Sequence, residues 1–184
     1  MDASSDKTRS PMNSTGTFTV TTPTDHEIVL TRIFDAPRTV VFEAWTKPEH
    51  VSNWWDPSGV PLSVCEIDLR PNGAFRWVNR VHGMEHSFTG TYSEITAPER
   101  LVFAVRIIPS RPNPVATLIF SEEGGKTKLT MTIECKSVGD RDALLQMRID
   151  VGTARTLENL AEYLDRIDSS GPSVDVTAEA EFGT

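Results

Sequence analysis

The sequence predicts an α+β domain in which a curved antiparallel sheet wraps a long C-terminal helix, with two short helices after the first strand. Three observations lead there. Residues from about Pro61 to Lys136 alternate apolar and polar with period two. The stretch Asp140 to Ile167 carries apolar residues at steps of three and four, and it has no proline. Strands and helices are segregated along the chain rather than alternating, which excludes a doubly wound parallel sheet.

Residues 1–24 hold eleven Ser or Thr and few large apolar side chains, a composition read as a disordered leader. Glu27 to Phe34 then form a first strand. Asp35, Ala36 and Pro37 end it and open a short helix with Val40, Val41, Ala44 and Trp45 on its apolar face. Thr46 and Glu49 have capping-box spacing around Pro48, so a second short helix is expected to carry Val51, Trp54 and Trp55. Adjacent tryptophans cannot share one helix face. Core packing is the expectation for such a pair taken alone, with one of the two bordering a cleft as the alternative.

Six strands fit the period-two interval. Cys65, Ile67 and Leu69 alternate with charged residues, and Pro71, Asn72 and Gly73 make a turn before Phe75 and Trp77. A turn near Gly83 leads to Phe88 and Tyr92, with Gly90 between them marking a bulge, a bend or a close backbone approach. Leu101, Phe103, Val105 and Ile107 form the next strand, and Leu118 and Phe120 lie in the one after. Leu129, Met131, Ile133 and Cys135 complete the sheet. Ser137 and Asp140 then resemble a capping box, and the helix to Ile167 is read as unbroken, roughly 40 Å long. Leu144, Met147, Val151, Ala154, Leu157, Ala161 and Leu164 are its inward stripe. The domain is thus bounded at 25–167, with 168–184 an acidic disordered tail.

The 184 residues carry a net charge of −8 and no Lys/Arg-rich block, which argues against nucleic acid or an anionic membrane face as partner. No apolar run is long enough to span a bilayer, and no signal peptide is evident. Two isolated cysteines, Cys65 and Cys135, fit reduced thiols and a cytoplasmic protein. No metal site, cofactor or catalytic group is expected. His82 and His86 have i,i+4 spacing in a strand-and-turn context where it means little, and there is no GxSxG elbow.

Several segments together carry a family resemblance: Arg32-Ile-Phe-Asp-Ala-Pro-Arg, Phe42-Glu-Ala-Trp-Thr, Pro48-Glu-His, Trp54-Trp55 and Cys65-Glu-Ile-Asp-Leu-Arg-Pro. Gly73-Ala-Phe-Arg-Trp, Phe88-Thr-Gly-Thr-Tyr and Pro98-Glu-Arg-Leu-Val-Phe extend it. The chain resembles the Activator of Hsp90 ATPase homologue 1-like family. That resemblance implies the helix-grip fold of the START and Bet v 1 (SRPBCC) superfamily, with a cavity between sheet and helix. It departs from the family in having Asp56-Pro57 after the tryptophan pair, where relatives have Gly-Pro, and Thr153 after Gly152, where relatives often have Trp.

The expected function is non-catalytic binding of a small, largely apolar molecule, with Trp54, Trp55, Trp77, Asn79, His86, Phe88, Tyr92, Met147 and Val151 as ligand-binding residues. Asn79 and His86 enter because each falls in phase with inward aromatics, where a polar group needs a partner. The resemblance adds an Hsp90-type chaperone as a possible partner and ATPase activation as an alternative role. A cyclase- or hydrolase-like enzyme on the same scaffold is the third reading.

Overall fold

A computed structural model describes residues 18–81 and 83–169. Eight strands form one antiparallel sheet: β1 (Thr19–Thr21), β2 (Glu27–Phe34), β3 (Val64–Ile67), β4 (Ala74–Val81), β5 (Met84–Thr96), β6 (Arg100–Arg106), β7 (Val115–Glu123) and β8 (Lys126–Glu134). Their order across the sheet is β1-β2-β8-β7-β6-β5-β4-β3. The six strands expected after Pro61 are present, and β2 has the expected bounds. Alternation puts Ile28, Leu30 and Phe34, then Leu129, Met131 and Ile133, then Phe103 and Val105 on one buried face. This is the helix-grip fold.

β1 corrects the reading of residues 1–24 as wholly disordered. Thr19–Thr21 pair with Thr31, Leu30 and Val29 of β2, and the Thr19 and Thr31 hydroxyls hydrogen-bond. A Ser/Thr-rich segment gains backbone partners by covering an edge strand, which composition alone does not register. Residues 1–17 and 170–184, the rest of the leader and tail, lie outside the described residues, as does His82.

The short helices are α1 (Arg38–Thr46) and α2 (Pro48–Val51). Neither uses the expected cap. Pro37 is the N-cap of α1, and the first helical N–H, that of Arg38, is taken by the Glu122 carboxylate at 2.7 Å. Asp35 instead faces Lys126 at 3.2 Å. Thr46 spends its hydroxyl on the Phe42 carbonyl at 2.9 Å, so Lys47 is the N-cap of α2 and no capping box forms there. With α2 ending at Val51, both tryptophans fall in the turn beyond it, free to diverge.

The C-terminal helix is not continuous. It is α3 (Val138–Gln146) followed by α4 (Ile149–Ser169), broken at Arg148, whose φ of 57° is left-handed. Non-glycine residues adopt that conformation at a cost. The break interrupts the helical phase, and the expected stripe is buried at Leu144, Leu157 and Leu164 but exposed at Met147 and Val151. Thr156, Leu157, Asn159, Leu160 and Leu164 are the buried residues of α4, whereas Val151 is 48% exposed. The Ser137 cap is as expected, its hydroxyl accepting the Asp140 N–H at 3.1 Å and donating to the Asp140 carboxylate at 2.7 Å. Ser137→Ala is expected to cost about 1 kcal/mol by urea denaturation. An unchanged midpoint would mean that the Arg111–Asp140 pair, at 2.9 Å, holds this corner alone.

Three ties hold α4 to the rest of the domain. Arg32, an inward residue of β2 only 2% exposed, pairs with Glu158 at 2.9 Å. Asn159 donates to the backbone carbonyl of Asp56 at 2.7 Å, and His50 Nδ1 shares a hydrogen with the Tyr163 hydroxyl at 2.6 Å.

Candidate functional site

The sheet curves away from α3 and the start of α4, and a cavity of about 330 Å³ remains between them. Its floor is apolar: Phe88 from β5, Phe103 and Val105 from β6, Ala116 from β7, and Met131 and Ile133 from β8. Trp45 of α1 and Trp55 close one side. The helical wall is made by Leu144, Met147, Arg148, Ile149, Gly152, Thr153, Thr156 and Leu157. At this size the space falls at the low end of the roughly 300–1,000 Å³ of small-molecule pockets. It would hold on the order of ten waters, with few polar groups to bind them.

Three expected site residues line this cavity: Trp55, Phe88 and Met147. Met147 does so from the helix junction, with 57% of its surface exposed, rather than from a buried stripe. Val151 does not line it, because the break at Arg148 turns it to solvent. Trp54 is core, its indole N–H donating to the Ala44 carbonyl at 3.0 Å. The adjacent pair therefore divides, Trp54 to the core, against its expected place among the ligand-binding residues, and Trp55 to the cleft.

Trp77 and Tyr92 are also core. They belong to an aromatic cluster in which Phe75 lies 4.7 Å from Trp77, 5.2 Å from Tyr92 and 5.4 Å from Phe103 between ring centroids. Burial pushes the Tyr92 phenol well above its usual range, so it stays protonated. The thiols of Cys65 and Cys135 are likewise raised by burial and remain thiols at neutral pH.

Asn79 and His86 face each other across β4 and β5, outside the cavity. They line a more open groove with Asp56, Ser58 and Ser87, and Trp55, Pro57 and Phe88 border both spaces. Asn79 is spoken for: its amide donates to the Asp56 carboxylate. Asp56 is only 7% exposed, and its other carboxylate oxygen takes the Ser58 N–H at 2.8 Å and the Ser58 hydroxyl. The departure from Gly-Pro thus supplies a buried carboxylate that ties the tryptophan turn to β4, while its carbonyl ties that turn to α4. His86 is exposed and makes no part of the cavity wall.

Sequence reasoning missed Trp45, Arg148, Gly152 and Thr156 as cavity residues, along with much of the floor. The floor was readable in part, because Phe103 with Val105 and Met131 with Ile133 alternate inward. No helix among the described residues is long and apolar enough to cross a membrane.

This architecture is shared with solved bacterial proteins. A crystal structure from Nitrosomonas europaea is similar at 25% identity over 80% of this chain and 99% of that one, with a TM-score of 0.72. One from Rhodobacter sphaeroides is 20% identical over 82% and 99%, with a TM-score of 0.75, and shows the fold alone. A solution structure from Staphylococcus epidermidis, 24% identical over 79% and 93% with a TM-score of 0.70, likewise shows the fold. No curated protein matches the chain. The sequence pattern described as "Activator of Hsp90 ATPase homolog 1-like protein" matches residues 35–165, from the end of β2 through most of α4. With that span covering the cavity wall and every strand from β3 to β8, the chain belongs to the Activator of Hsp90 ATPase homolog 1-like family.

Proposed function

We propose that the protein is a binding protein that holds a small, largely apolar molecule between the sheet and the α3–α4 pair. The observation that carries this reading is the cavity itself. Interiors are normally packed with few voids larger than a water. Here Phe103, Val105, Met131 and Leu157 face open space instead of one another. Apolar surface left in that state favours an apolar occupant.

Gly152 supplies the test. It lines the cavity, and a Cβ built there would meet nothing within 4 Å. Gly152→Phe therefore projects a ring into the void without displacing a neighbour, and a helical position loses a glycine that costs about 1 kcal/mol relative to alanine. Wild type is expected to raise the emission of 1-anilinonaphthalene-8-sulfonate on titration, and Gly152→Phe to lose at least about 80% of that rise at an equal or higher thermal midpoint. Val151→Trp, on the solvent side of α4, is expected to bind like wild type. Full uptake by a folded Gly152→Phe protein would place the binding site elsewhere.

The family description supports a second reading, in which the domain acts on an Hsp90-type chaperone. Stimulation of chaperone ATPase by the purified protein tests it. A cytoplasmic location belongs to either reading and is supported by two free thiols, one buried and one half-buried.

A further inference from the structure

The polar side chains of the cavity have a common character, and it narrows the chemistry of the occupant proposed above. Thr156 is only 6% exposed and lines the cavity, yet its hydroxyl makes no hydrogen bond with any described residue. Elsewhere on short or helical turns the protein spends such hydroxyls on the carbonyl four residues earlier. Thr46 donates to Phe42 at 2.9 Å, Ser52 to Pro48 at 2.6 Å and Ser169 to Asp165 at 2.7 Å. At Thr156 that bond is not made, so the hydroxyl stays open to the cavity with its donor unspent. Trp45, in the same wall, also has a buried indole N–H without a partner.

A water would be a poor answer, because an ordered buried water needs two to four polar partners and the wall around Thr156 is mostly hydrocarbon. The polar side chains that line the cavity are those of Trp45, Trp55, Arg148, Thr153 and Thr156. An indole and a guanidinium can only donate, whereas a hydroxyl can donate or accept, so donors outnumber acceptors on this wall. Among the described residues, no carboxylate, carboxamide or imidazole lines the cavity to accept a hydrogen bond from a ligand. Gly152, one turn before Thr156 on the same helix face, leaves the space beside that hydroxyl open. We infer that the bound molecule is an apolar carbonyl compound whose oxygen accepts the Thr156 hydroxyl, rather than a plain hydrocarbon. The inference rests on the cavity-binding reading above.

Two probes of nearly equal shape separate the possibilities: 2-acetylnaphthalene, with a carbonyl oxygen, and 2-ethylnaphthalene, without one. Thr156→Val removes the hydroxyl and keeps the branching. It is expected to weaken the ketone roughly fivefold, the effect of one hydrogen bond, while leaving the hydrocarbon unchanged. Thr156→Ser is expected to restore ketone binding. Independently of any variant, the carbonyl stretch of the ketone bound to wild type is expected at a lower infrared frequency than in hexane. An unshifted stretch, or a Val variant that weakens both probes alike or neither, overturns the inference while cavity binding stands. Wild type that takes up neither probe overturns both.

Discussion

Gly90→Val is expected to lower the thermal midpoint by roughly 6–12 °C. A Cβ at Gly90 would stand 2.3 Å from Phe75 Cζ and 2.5 Å from the carbonyl oxygen of Ala104. Real contacts of that length do not occur, and the two obstacles differ in how far they can yield. The Phe75 ring lies across Gly90, its direct partner on β4, and is itself enclosed by Trp77, Tyr92 and Phe103. The Ala104 carbonyl belongs to the β6 backbone and cannot swing aside without breaking the β5–β6 ladder. Overpacking ordinarily costs about 1–3 kcal/mol, and a clash with backbone puts this case at the top of that range or above. For a domain of this size about 3 kcal/mol lowers the thermal midpoint by roughly 6–12 °C. Gly90→Ala should suffer most of the loss, since the Cβ already collides. Circular dichroism melts decide the matter, and a midpoint within about 2 °C of wild type would mean the β5–β6 edge gives way freely.

Gly90 marks a close approach and not a bulge. The bulge is at Ser93, the extra residue where the β5–β6 register shifts between Tyr92 and Glu94.

Arg32→Ala is expected to cost about 3 kcal/mol by urea denaturation. Arg32 points into the core between Leu30 and Phe34, with Leu129 opposite on β8, and its guanidinium reaches Glu158 at 2.9 Å. Removing one member of a buried pair strands the other, a loss of about 3–5 kcal/mol. Glu158 keeps 24% of its side chain in solvent, which places the cost at the low end. The double change Arg32→Leu with Glu158→Leu should recover most of the loss, because a hydrocarbon pair needs no desolvation of charge. If the double variant is as unstable as Arg32→Ala, Arg32 acts through packing of its stem and not through the ion pair.

What could be read beforehand divides along a physical line. Strands whose two faces differ announce themselves locally. That is why β2 was legible to the residue and why Ser137 with Asp140 marked the start of α3. The break at Arg148 was not legible, because Gln146, Met147, Arg148 and Ile149 include no glycine, proline or asparagine to suggest it. A left-handed arginine leaves no such mark, and it puts Met147 at the helix junction and turns Val151 to solvent. The cavity failed for a different reason. Large aromatics such as Trp77 and Tyr92 attract a binding hypothesis, yet large rings are what fill space. Voids persist beside short or missing side chains, here Ala116, Val105 and Gly152, which look unremarkable in sequence. Thr156 falls outside the stripe read from the sequence, and only its position against the void reveals a hydroxyl with nothing to bond.

The pairing of β2 with β8 has a consequence for how the chain is made. Glu27 pairs with Glu134, so strands formed 107 residues apart must meet before the sheet is complete. Ribosomes add about 5–20 residues per second, so β2 waits on the order of 5–20 s after its own synthesis for its partner strand to exist. During that interval the side of β2 away from β1 has no native partner, and Arg32 has no Glu158. The sheet cannot close progressively from its N-terminal end. The β3–β4–β5–β6–β7 meander, whose neighbours in space are neighbours in sequence, is free to form first, and β8 then joins both halves just before the C-terminal helices arrive to cover them.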